Sequence, residues 1–194
     1  MADDDRPYES RHAFVRPRPN PVVSESTYSL NAPVPAGVAR LAAGLASECR
    51  TADVRTKHSM VVKRLPEDAG PNRRPNVRAF ARRAREALAG LAPFAVRVTG
   101  VESFDRPTSG TGPVVYLAVE SPGMEEAHRR LCEVFEPLPG LEGEDYVPHV
   151  TIARRGDADR LVGREVDPVE WTVERLVVWD AHRRLEVETV SLPA

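Results

Sequence analysis

The chain has little cysteine: only Cys49 and Cys132 among 194 residues. They stand apart and fit no metal-ligand spacing, which argues against a cysteine-bound metal. They read as two reduced thiols in a cytoplasmic protein. Lysine is scarcer than arginine, with Lys57 and Lys63 alone among 27 basic residues. That bias reflects genomic base composition or the fit of arginine to bidentate phosphate contacts. No apolar run approaches the roughly 20 residues of a membrane span, so no membrane partner is expected. No basic segment leads into an apolar one, so no secretory signal is expected. A net charge of −2 excludes a grossly basic nucleic-acid binder but leaves room for a local basic cleft.

What is present suits a globular protein. Apolar residues make up 41% of the chain, enough for one domain or two small lobes sharing a core. Residues 1–24 hold Asp3, Asp4 and Asp5 and then Pro7, Pro17, Pro19 and Pro21, with little periodicity. They read as a disordered extension, with His12 solvated, before a domain over residues 25–194.

Tyr28, Leu30 and Ala32 alternate with polar neighbours, which predicts a half-buried strand. Val38, Leu41, Ala42 and Leu45 give a helix after Pro35. A His58 strand follows, then a polar loop over residues 66–75 and a helix over 76–91 whose arginine-rich face reads as solvated. Phe94, Val96 and Val98 predict one strand and Val115, Leu117 and Val119 another, paired as a hairpin across a Gly-rich turn. Residues 124–135 make an amphipathic helix on which His128 reads as a surface or boundary residue. A final antiparallel pair is expected over residues 171–179 and 185–192, with His182 in the turn. Strands and helices mix without regular alternation, so the fold class is α+β, with helices outside and a concave sheet surface inside.

The stretch around which the rest is organised is Tyr146-Val147-Pro148-His149-Val150-Thr151-Ile152-Ala153-Arg154-Arg155. It is β-branched and apolar, and Pro148 marks its start. Alternation puts His149, Thr151, Ala153 and Arg155 on one face and Val150 and Ile152 on the other. One face then enters a core while the other offers an imidazole and a hydroxyl. A second strand-like stretch, beginning Lys57-His58-Ser59-Met60-Val61, carries a histidine 91 residues earlier. Each histidine follows a helical segment, which suggests two similar half-domains.

The run His149-Val150-Thr151-Ile152, with Pro148 before it and Arg154 after, resembles the second signature of the two-histidine (2H) phosphoesterases. These include 2′-5′ RNA ligase and RNA 2′,3′-cyclic phosphodiesterase proteins. Their signature, His–apolar–Thr/Ser–apolar, occurs once in each pseudo-symmetric lobe. The resemblance extends from about Ser26 to the end, through the element order and the Ala-Pro-Val-Pro run before the first helix. It implies two lobes whose antiparallel sheets line a central cleft. His58-Ser59-Met60-Val61 departs from the pattern, because Met60 stands where the hydroxyl belongs. Alternation sends Ser59 to the helix side unless a bulge turns it.

The chemistry follows from two imidazoles that titrate near neutrality. One takes a proton from water and the other gives a proton to the departing ribose oxygen, a pairing that needs neither metal nor cofactor. Either histidine can hold either role. Thr151 would donate to a non-bridging phosphate oxygen. The resemblance implies opening of 2′,3′-cyclic phosphate RNA ends to 2′-phosphates, or 2′-5′ ligation in reverse, by a monomer acting on RNA ends or cyclic nucleotides. Arg155, on the His149 face, and Arg64, on the His58 face, are candidates for holding the RNA backbone. Tyr116 is either a stacking surface for a base or an ordinary packing residue with its hydroxyl at the edge. A non-catalytic RNA-end or nucleotide-binding module with a degenerate first motif is the competing reading. A structural domain with two incidental histidines is the third.

Overall fold

The computed structural model describes residues 28–65, 76–108 and 110–193. The expected extension over residues 1–24, the 66–75 loop and Ser109 lie outside the described residues. Nine strands and three α-helices are seen there: β1 (Tyr28–Pro33), α1 (Ala36–Ala46), β2 (Asp53–Val54), β3 (Ser59–Leu65), α2 (Val77–Ala87), β4 (Phe94–Phe104), β5 (Val114–Glu120), α3 (Pro122–Val134), β6 (His149–Arg154), β7 (Glu170–Val173), β8 (Arg175–Asp180) and β9 (Leu185–Ser191). Single 3₁₀ turns occupy Gly143–Asp145 and Ala158–Leu161.

The strands form two antiparallel sheets, ordered β3-β1-β8-β9 and β2-β6-β5-β4-β7. The helices cover them as expected of an α+β fold. Val38, Ala42 and Ala46 of α1 and Phe80, Ala81 and Ala84 of α2 point inward at helical spacing. Asn76 caps α2 and Ser121 caps α3, each accepting a backbone N–H three residues on. Arg78, Arg82, Arg83 and Arg85 on α2 are exposed, but the face is not merely solvated: Arg83 donates to the Val134 carbonyl and Arg85 to Glu188 and the Thr189 carbonyl of β9.

The two halves share a unit: β1-α1-β3 in the first and β5-α3-β6 in the second. Each helix leaves its own unit, α1 packing on β6 and α3 on β3. The registers match residue for residue. Asn31 pairs with Val61 and Ala32 with Met60, as Tyr116 pairs with Thr151 and Leu117 with Val150. Both units then skip one residue, Val62 in β3 and Ile152 in β6, at the same point of the ladder. These are β-bulges. The carbonyl of each bulged residue is taken from outside the ladder: Val62 O accepts from His128 Nδ1 at 2.6 Å, and Ile152 O from the Arg55 N–H at 2.8 Å.

Three expectations are corrected here. His128 is buried, because its ring satisfies the Val62 carbonyl, accepts the Gly143 N–H at 2.9 Å and stacks on Tyr146 at 3.8 Å. Residues 171–179 are not one strand. The segment breaks at Glu174, so that β7 extends the second sheet beside β4 while β8 enters the first between β1 and β9. Ser59 does not face the helices; it lines the central cleft, and Met60 is fully buried. The pleat begins at Ser59, with His58 just outside it, so alternation cannot be counted from His58.

Candidate active site

One face of the first sheet and the His149–Thr151 face of β6 enclose a cleft of about 710 Å³. His149 and Thr151 reach it from β6, His58 from the segment before β3, and Ser59, Asn31 and Trp179 from the first sheet. Its charged lining is Arg55, Lys57 and Arg184 against Glu186, a positive balance suited to a phosphate. Lys57 lies 3.9 Å from the centre of the Trp179 ring. Among the described residues, no group of three or more His, Cys, Asp or Glu side chains is gathered to hold a metal ion.

His149 is held from below and behind. Its Nδ1–H donates to the Val147 carbonyl at 2.8 Å, which leaves Nε2 with the lone pair in the neutral ring. Phe104 meets the ring edge-on at 5.2 Å and Tyr116 at 5.1 Å, and these two stack on each other at 4.3 Å. Burial first, and then the charges of Arg64, Arg154 and Arg55, lower its pKa from 6.5 to about 4. The imidazole is therefore neutral at pH 7. Tyr116 is only 3% exposed, so it packs behind His149 and is not open to stack on a base. Its hydroxyl donates to Glu102 Oε2 at 3.2 Å, and burial with the Glu102 charge pushes the phenol up to about 12.

His58 lies between the cleft and a hollow beside α1 and lines both. Its Nδ1 donates to the Thr151 carbonyl at 3.2 Å, tying the two motifs together. Its Nε2 is buried and has no partner among the described residues. The ladder registers make Ser59 the counterpart of His149, and Val61 the counterpart of Thr151. The two histidines do not occupy matching places: His58 is one residue out. Ser59 instead accepts a hydrogen bond from Asn31 Nδ2 at 2.9 Å.

The bulges also redistribute the arginines. Beyond Ile152 the alternation reverses, so Ala153 is buried and Arg154 turns to the His149 side. Arg155, expected on that face, lies past the strand end with φ of 59°, its guanidinium 3.4 Å from Asp53. It lines neither the cleft nor the cavity next to His149. Beyond Val62, in the same way, Lys63 enters the core and Arg64 turns outward. Lys63 is the residue the sequence reading missed. Fully buried, its Nζ meets Glu142 Oε2 at 2.5 Å and the carbonyls of Arg64 and Glu136 at 2.8 and 3.0 Å.

A family model described as the 2′-5′ RNA ligase superfamily matches residues 61–185, more than half of the chain. The chain belongs to that superfamily, whose members are the 2H phosphoesterases. The match begins at Val61, past His58 and Ser59, and includes all of the second motif. No curated protein matches the chain. Among solved structures, TT0787 of Thermus thermophilus is similar at 21% identity and a TM-score of 0.56, over 85% of this chain and 97% of that one. E. coli LigT complexed with NADP+ is similar at 14% identity and a TM-score of 0.53, over 86% and 98%. LigT complexed with 3′-AMP gives 11% and 0.51, over 87% and 98%. At these identities the structural likeness establishes the fold, two antiparallel sheets with helices outside.

Proposed function

We propose that the chain is a phosphoesterase that opens 2′,3′-cyclic phosphate RNA ends to 2′-phosphates. The observation that carries this is His149, half-buried at the cleft and fixed by its Nδ1–H on the Val147 carbonyl, which leaves the Nε2 lone pair free in the neutral ring. Such a ring is a base. Its Nε2 takes a proton from water as the water oxygen bonds to phosphorus. The bond from phosphorus to the ribose 3′ oxygen breaks, and His58, in its imidazolium form, returns a proton to that oxygen. The unpartnered His58 Nε2 suits this role, since a substrate oxygen would complete its hydrogen bonding. Thr151 donates to a non-bridging oxygen. With a ribose 5′-hydroxyl in place of water, the same groups run 2′-5′ ligation. That LigT has been crystallised with 3′-AMP and NADP+ supports a nucleotide ligand.

One observation favours a second reading. Ser59 and Val61 stand where the other lobe has His149 and Thr151, so the first lobe lacks a matched imidazole and hydroxyl. A binding module with no turnover would look like this. The experiment is hydrolysis of a short RNA ending in a 2′,3′-cyclic phosphate, with chelator throughout, by wild type, His58→Ala and His149→Ala. A 2′-phosphate product, with each variant slowed about 10²–10⁴-fold while still folded, is expected. An inert wild type that still binds the RNA would favour the binding module. An absolute requirement for a divalent metal would overturn the mechanism.

A further inference from the structure

Next to His149, a second cavity of about 110 Å³ adjoins the cleft and shares His149 and Val61 with it. Three arginines line it, Arg64, Arg106 and Arg154, against one carboxylate, Asp145. Arg64 and Arg154 are symmetry counterparts, each two residues past the bulge of its strand and paired with Ser29 and Val114 in turn. Both lower the pKa of His149 by their charge, which places that charge within electrostatic reach of the reacting centre.

Arg64 is set there by its backbone. Its N–H donates to Glu142 Oε1 at 2.6 Å, while Glu142 is itself neutralised by buried Lys63. The Arg64 guanidinium stays 3.9 Å from that same oxygen. Among the described residues, neither Arg64 nor Arg106 hydrogen-bonds a protein acceptor through its guanidinium. Two forked donors beside a positively balanced cavity are the usual means of holding a phosphate.

We propose that this cavity is a subsite for a second phosphate of the substrate, the internucleotide phosphate next to the cyclic end, held by Arg64 and Arg106. This rests on the phosphoesterase reading and sharpens it: the preferred substrate is an oligonucleotide of two or more residues. A cyclic mononucleotide has only the phosphate that His149 and Thr151 address, and leaves the subsite empty.

The test is equilibrium binding, so that it does not depend on turnover. The probes are a nucleoside 2′-monophosphate and a dinucleotide with one internucleotide phosphate and a terminal 2′-phosphate. Wild type, Arg64→Ala and Arg106→Ala are titrated with both at several salt concentrations, and folding is checked by thermal melting. Arg106 is an exposed residue, so its variant folds even if Arg64→Ala does not. Wild type is expected to bind the dinucleotide at least tenfold more tightly. Each variant is expected to lose about tenfold for the dinucleotide only, and to flatten its salt slope by about 0.7. Equal loss for both probes, no loss for either, or no wild-type preference would overturn the subsite. A wild type that fails to hydrolyse cyclic ends yet loses dinucleotide affinity in both variants would retain the subsite and discard the proposed chemistry.

Discussion

Protonation of His149 offers a measurement that separates its burial from every other acid-sensitive group. Its pKa is lowered from 6.5 to about 4, chiefly by burial. The unfolded chain therefore takes up a proton near pH 6.5 and the folded chain does not until near pH 4. Stability tied to this group is intact above pH 6.5 and falls as pH drops from 6.5 towards 4, because the unfolded state binds the extra proton. A displacement of about 2.5 units corresponds to about 3 kcal/mol at the acid end of that window. The assay is urea unfolding from pH 4 to 7.5 on wild type and His149→Gln. Glutamine retains a donor for the Val147 carbonyl and does not titrate. His128, also lowered by burial, and the clamped Asp157 contribute to both proteins, so the difference between the two curves isolates His149. The difference should grow by about 3 kcal/mol in wild type's disfavour across the window. Phe104→Ala opens the aromatic wall and should move the His149 titration, followed by NMR, back towards 6.5. Parallel stability curves for wild type and His149→Gln, or an imidazole titrating above pH 6 in the wild type, would refute the half-buried neutral base.

Three further outcomes are expected. Lys63→Met strands the Glu142 carboxylate in the core and should cost about 3–5 kcal/mol in urea unfolding, with part recovered by adding Glu142→Gln; a loss under 1 kcal/mol would show that the pair is not what holds this region. Gly156→Ala meets the Thr51 carbonyl oxygen at 2.4 Å from a φ of 51°, so it should destabilise by about 1–3 kcal/mol. Gly44→Ala, in α1 with nothing within 4 Å, should instead stabilise by about 0.5–1 kcal/mol, and thermal melts of the two compare a backbone clash with free helix propensity. Val61→Thr puts a hydroxyl at the counterpart of Thr151 and should raise kcat on cyclic phosphate ends about tenfold; no change would mean that the first lobe does not touch the phosphate.

Period-two and period-3.6 patterns carried most of the fold. Phe94, Val96 and Val98 are buried in alternation as their strand requires, whereas in β1 Asn31 is buried along with Leu30 and Ala32. The apolar spacing placed the helices, α1 after Pro35, α2 ending at Ala87 short of the expected 91, and α3 over Pro122–Val134 against the expected 124–135. The same reasoning failed where the backbone departs from a regular pleat. Val61-Val62 and Val150-Thr151-Ile152 are β-branched runs, and nothing in such a run marks which residue is skipped by the ladder. Both bulges were therefore invisible, and with them the burial of Lys63, the inward turn of Arg154 and the exclusion of Arg155 from the cleft. The partner of His128 was hidden for the same reason, since it is the carbonyl of bulged Val62. The break at Glu174 passed unseen because both flanks are strand-like and only tertiary pairing divides them.

The register also changes what the first motif means. Read as a string, His58-Ser59-Met60-Val61 looks like an intact histidine with a hydroxyl lost at Met60. In the ladder Met60 is a core residue, counterpart of Val150, and never had a hydroxyl's place. The departures from symmetry are at Ser59 and Val61, and His58 comes in from outside the pleat. Yet the scaffold around those positions is preserved in detail: the bulge, the outside donor to its carbonyl and the arginine two residues on recur in both lobes. In the proposed reaction, the half that holds His149, Thr151 and Arg154 supplies proton abstraction and a phosphate contact. The other half, with Arg64 and the displaced His58, would supply the second phosphate contact and the proton for the leaving oxygen. Unequal lobes suit the asymmetric task proposed above, in which one side takes the proton that begins the reaction and the other gives a proton to the leaving oxygen and grips the nucleotide chain.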